Sequence, residues 1–124
     1  MPVRVLPLTL VIVFLPAVAV AGEGLNGLWA RGDGVADVNV APCGGAICMT
    51  NTAIRNSQAN EKVGDKLVVT ASKMTPTSLS GSAFDPQRNR SYDIEMNVAG
   101  NRMTTRGCIA GGLLCKTIEW TRLR

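Results

Sequence analysis

From Ser91 to Val98 the chain alternates without a break: Ser91, Asp93, Glu95 and Asn97 are polar, and Tyr92, Ile94, Met96 and Val98 are apolar. Side chains two apart share a face of an extended strand, so this run predicts a strand with one wet and one buried side. A shorter alternation sets Ala36, Val38 and Val40 against Asp37 and Asn39. Helical periodicity is weak throughout. Turn chemistry separates the runs. Asp85-Pro86-Gln87-Arg88-Asn89 offers Pro at a turn's second place and Asn where a left-handed residue is needed. Ala99-Gly100-Asn101 reads as a tight hairpin turn. Strands then fall near 26–31, 35–41, 47–53, 66–73, 78–84, 90–98, 102–109 and 117–123, with Arg55–Gly64 as a loop or a single helical turn. Eight short strands at close spacing predict an all-β, antiparallel barrel or sandwich.

A domain this small gains from covalent staples. Its cysteines are Cys43, Cys48, Cys108 and Cys115. Four cysteines allow three pairings. Each local loop holds a Gly-Gly pair, Gly44-Gly45 or Gly111-Gly112, that lets the backbone turn back sharply. A local bridge contributes about 2–2.5 kcal/mol and a long-range one about 4. Proximity during oxidation nevertheless favours Cys43 with Cys48 and Cys108 with Cys115. A four-cysteine zinc site is the rival; its ligands usually come as C-x(2–4)-C, and the second gap here is wider.

The N-terminus predicts the compartment. Arg4 is followed by an uncharged run centred on Leu6–Leu15, with Ala19-Val20-Ala21 at its exit. A single positive charge, a short apolar centre and an A-x-A exit form the secretory pattern. Residues 1–21 are expected to be a cleaved signal peptide and residues 22–124 a single domain, exported to the periplasm or beyond. Pro7 and Pro16 interrupt the apolar run, which argues against a stable membrane anchor. The net charge of +4 is mild and forms no basic block, so nucleic acid is not an expected partner.

Gly27-Leu28-Trp29 opens the domain, and Pro42-Cys43-Gly44-Gly45-x-x-Cys48 follows. Asp85-Pro86 leads to Tyr92, and Arg106-Gly107-Cys108-x-x-Gly111-x-x-x-Cys115 closes on Trp120-Thr121-Arg122. In this order the chain resembles a bacterial exported family of unknown function, domain of unknown function 2147. The resemblance implies a lipocalin-like β-barrel in the cell envelope, with no settled activity. It also implies a barrel closure in which Gly27 and Trp29 lie at one end, with Arg122 over the indole. A cation over an indole contributes about 0.5–2 kcal/mol.

The residues call for no catalysis. The chain has no His, which removes His-based triads and a His general base. Paired cysteines are not nucleophiles. Asp93 and Glu95 read as the wet face of a strand rather than as a glycosidase pair. Arg88, Arg90, Arg102 and Arg106 gather around two hairpins, and read as a charged strand edge or as a basic patch for an anionic glycan or headgroup. No cofactor or metal is called for. The expected function is non-catalytic binding of a small apolar or lipid-like molecule inside a monomeric barrel. The inward candidates are Val38, Val40, Val69, Tyr92, Ile94, Met96, Val98, Met103 and Trp120. With few aromatics to plug the interior, space beside Met96 is expected to be unfilled. The alternative is a module that binds an envelope protein, as an inhibitor or an assembly factor.

Overall fold

The computed structural model describes residues 2–14 and 23–124. Residues 2–14 are exposed and have no regular secondary structure. The expected cleavage site, Ala19-Val20-Ala21 and Gly22, lies outside the described residues. A single 3-10 turn, Glu23–Leu25, leads into eight strands: β1 (Gly27–Arg31), β2 (Ala36–Cys43), β3 (Ala46–Ile54), β4 (Lys66–Met74), β5 (Ser78–Asp85), β6 (Arg90–Ala99), β7 (Arg102–Ile109) and β8 (Leu114–Arg122). Each pairs antiparallel with its chain neighbour, and β1 pairs with β8, so the sheet closes into a barrel.

The expected strands are therefore present, and they close into the barrel that the resemblance implied rather than a sandwich. The last strand begins at Leu114 rather than near 117, because the Cys108–Cys115 pair sits within the β7–β8 ladder and extends it. The segment after Arg55 holds one 3-10 turn, Ser57–Ala59, capped by the Asn56 side chain. Asn89 adopts φ 50° in the β5–β6 turn, the left-handed conformation its position asked for.

Both disulfides join hairpin neighbours, Cys43 to Cys48 and Cys108 to Cys115. The meander puts them at opposite ends. The β2–β3 hairpin lies at the end where the chain enters, and the β7–β8 hairpin at the other. Bridges of this kind persist in oxidising compartments. Among the described residues no helix is long and apolar enough to cross a membrane, and no cluster of His, Cys, Asp or Glu could hold a metal ion. Replacing Cys43 and Cys48 together by Ala should cost about 2 kcal/mol with the barrel retained, because the bridge closes only a short loop. Urea unfolding followed by circular dichroism checks this.

Inward positions alternate along the strands except at the bulges at Asp37/Val38 and Ala71/Lys73, and they fill the two halves of the barrel differently. At the entry end, Leu25, Trp29, Val40, Val69, Leu79, Met96 and Met103 are fully buried. Gly81 lets β4 and β5 approach there, since a Cβ at Gly81 would stand 2.0 Å from the Thr70 carbonyl oxygen. The space expected beside Met96 is thus occupied by its neighbours. Asp37 also departs from the expected wet face. It is buried beneath Arg55, whose Nε and Nη2 donate to its two carboxylate oxygens at 2.9 and 2.5 Å.

The four arginines do not form one patch. The β5–β6 turn with Arg88 and Arg90 is at the open end, while Arg102 begins β7 at the closed end. Arg106 points outward opposite Glu95. A closed barrel has no strand edge to protect, so Arg102 and Arg106 are the ordinary wet face of its wall, while Arg88 and Arg90 stand at the open rim.

Candidate functional site: a cup at the open end

The closed end is sealed by Trp29. Its indole is fully buried, its Nε1 donates to the Leu25 carbonyl at 2.9 Å, and the Arg122 guanidinium lies 4.2 Å from the ring centroid. Arg122 in turn donates through Nη1 to the Asn26 carbonyl at 2.8 Å and through Nη2 to the Gly24 carbonyl at 2.6 Å. Gly27 sits at φ 137°, and a Cβ there would stand 2.5 Å from the Arg124 carbonyl oxygen and 2.8 Å from Arg122 Nη1. Only glycine leaves room for the guanidinium. The geometry joins Gly27, Trp29 and Arg122 in one closing contact, across the β1–β8 seam where Trp29 faces Arg122.

The other half of the barrel is hollow. A cavity of about 570 Å³ opens between the β1–β2, β3–β4, β5–β6 and β7–β8 connections. Its floor and walls are Val38, Met49, Leu67, Ile94, Ile118 and Trp120. Trp120 is almost fully buried and donates its Nε1 to Thr105 Oγ1 at 2.9 Å, so it is a core residue whose face forms the floor. Tyr92 lies over Gly107, where a Cβ would meet its ring at 3.0 Å. That missing side chain lets the ring lie against the wall instead of across the cup. No described residue hydrogen-bonds the Tyr92 hydroxyl, and burial pushes its pKa above the usual phenol value.

The mouth is charged. Arg31, two residues after Trp29 on the same face, donates through Nη1 and Nη2 to the Glu61 carboxylate at 3.0 and 2.5 Å and through Nε to Asp33 at 2.9 Å. Asn51 Nδ2 adds a bond to Glu61 at 3.1 Å. Arg88 bonds Asp85 at 3.0 Å and the Asn60 carbonyl at 3.0 Å. These bonds tie the β3–β4 loop to the rim. The Arg31 hydrogen bond, opposed by partial burial, holds the Glu61 carboxyl below its usual value. For Asp33, burial works against the charge, but bonds from Arg31 and the Val35 amide outweigh it and lower its pKa.

A lowered carboxyl pKa stabilises the fold above the unfolded value and is lost as pH falls through the folded one. The gap in thermal midpoint between wild type and Glu61→Gln should therefore be open at neutral pH and close progressively below pH 4.5, the unperturbed glutamate value. A gap independent of pH would contradict the Arg31–Glu61 tie.

Of the sequence-expected interior residues, Tyr92, Ile94, Trp120 and Val38 line the cavity. Met96 and Met103 are fully buried in the closed half and Val98 is half-buried, and none of the three lines the cup. Met49, Leu67 and Ile118 were not singled out by the sequence, nor were the rim residues Arg31, Asn51 and Glu61. Ile118-x-Trp120 does carry the alternation that marks a shared face. Glu61 comes from an irregular loop and carries no periodic signal.

No curated protein and no solved structure matches the chain. A family model described as an uncharacterized protein conserved in bacteria, DUF2147, matches residues 27–122. The matched segment runs from the first residue of β1 to the last residue of β8. The chain therefore belongs to the DUF2147 family of bacterial proteins, whose barrel in this member is closed by Trp29 and Arg122 and hollow at the opposite end.

Proposed function

We propose that the protein is a non-catalytic envelope protein that binds one small, largely apolar molecule in the open half of its barrel. The observation that carries this reading is the cup itself, about 570 Å³ with an apolar floor and a charged rim. Pockets for small molecules span roughly 300–1,000 Å³ and combine apolar walls with a few placed polar groups. Here the polar groups inside the mouth are the Tyr92 hydroxyl, Thr105 and Asn51. Such a site takes an apolar body and orients one polar end. The test is titration of the purified domain with a fluorescent fatty acid. One-to-one saturable uptake is expected. No uptake by wild type contradicts the reading and favours a protein-binding role.

The same proposal places the protein outside the cytoplasm after removal of residues 1–21. The Ala19-Val20-Ala21 exit and two disulfides support it. N-terminal sequencing of protein taken from the envelope should begin within a residue or two of Gly22. Retention of Met1 in a membrane fraction would contradict it.

A further inference from the structure

Single exposed leucines are ordinary, but exposed apolar side chains gathered at one place call for a partner. Outside residues 2–14, the described chain shows such a gathering at one end. Leu113 is 84% exposed, Leu114 63% and Ile109 42%, all on the tip of the β7–β8 hairpin. Val63, on the β3–β4 loop, is 64% exposed at the same end. The Cys108–Cys115 disulfide clamps the base of the tip, so these side chains are held out rather than free to fold back.

Around the mouth at the same end five cations, Arg31, Lys66, Arg88, Arg90 and Lys116, stand against four carboxylates, Asp33, Glu61, Asp65 and Asp85. Asp33 and Glu61 are engaged by Arg31, and Asp85 by Arg88. Asp65 accepts from the Lys62 amide. Lys66, Arg90 and Lys116 stand exposed around the mouth with no carboxylate in ion-pair range among the described residues. The tip also adjoins the cup, since Ile109 and Leu114 line its mouth. Trp120, Ile118, Lys116 and Leu114 follow one another on the cup-lining face of β8, from the floor to the tip, and Ile109 faces Leu114 across the hairpin.

We propose that the open end docks on an anionic lipid bilayer, with the Ile109–Leu114 hairpin tip dipping into the headgroup region and Lys66, Arg90 and Lys116 against lipid phosphates. An apolar tip ringed by unpaired cations suits a surface that is apolar below and negative above. A protein partner would need no such arrangement of charge around a small tip. Docking in this orientation turns the mouth of the cup toward the membrane.

The test is co-sedimentation of the disulfide-bonded protein with vesicles of phosphatidylglycerol in phosphatidylcholine, and with vesicles of phosphatidylcholine alone. Wild type should partition to the anionic vesicles and be released by high salt, because unpaired surface charges are screened. Leu113→Asp should reduce partitioning about tenfold or more, since it removes the most exposed apolar contact and adds repulsion. Leu113 does not line the cup, so fatty-acid uptake in solution should be unchanged in that variant. The docking proposal does not depend on an occupied cup, because partitioning is read without any cavity ligand. Equal binding to both vesicle types, wild type left in the supernatant, or unchanged partitioning of Leu113→Asp would each overturn it. Self-association lost in Leu113→Asp with no vesicle binding would assign the tip to a protein contact instead.

Discussion

Trp29→Ala should destabilise the domain by about 3–5 kcal/mol, the usual loss for truncating a fully buried large aromatic. Small domains are stable by only about 5–15 kcal/mol, so this change alone removes much of the margin. Three effects add. The indole leaves a void at the point where the first and last strands meet. The Leu25 carbonyl loses its 2.9 Å donor. Arg122 loses the ring beneath its guanidinium, a contact worth about 0.5–2 kcal/mol. Trp29→Phe separates these contributions, because it keeps most of the bulk and removes the indole N–H. A smaller loss, about 1 kcal/mol for the hydrogen bond plus the reduced packing, is expected for it. Urea unfolding of the two variants measures both. A loss below about 1 kcal/mol for Trp29→Ala would show that the seal does not hold the β1–β8 seam.

Ile118→Trp should abolish or weaken fatty-acid uptake by about tenfold or more without unfolding the barrel. Ile118 is half-buried on the wall of the cup beside Trp120, and space lies in front of it. A larger ring there occupies ligand volume. It also covers apolar wall that otherwise faces the open cup, so thermal stability should hold or rise. Met96→Trp makes the opposite prediction. Met96 is fully buried among the packed residues of the closed half, so a larger ring overpacks it and costs about 1–3 kcal/mol. Probe titration and thermal unfolding of both variants read the difference between a hollow half and a filled half.

The fold was legible because its signals are local. Strict alternation at Ser91–Val98, Asn89 in a left-handed turn and cysteines spaced across hairpins each fix a short stretch of chain. In an up-and-down barrel every pairing but β1 with β8 joins sequence neighbours, so local signals nearly suffice. The seam between β1 and β8 followed only from the family resemblance, because Trp29 and Arg122 are far apart in the chain. The site was less legible. Parity tells which residues face inward, but not how far along the barrel they lie. Met96 and Ile94 share a face, yet only Ile94 reaches the cup. Depth depends on strand stagger and on which loops close over which end. The rim pairs are harder still, since Arg31 and Glu61 meet through a loop whose polar, irregular sequence does not announce where its side chains go.

The central claim is that the cup carries a molecule. The most direct measurement is native mass spectrometry of protein purified gently from a bacterial envelope, wild type beside Ile118→Trp. The account predicts a one-to-one adduct of an apolar or lipid-like mass on wild type that is missing or much reduced on Ile118→Trp. Wild type that flies only at the mass of the bare chain, or an adduct equally present on Ile118→Trp, would contradict it.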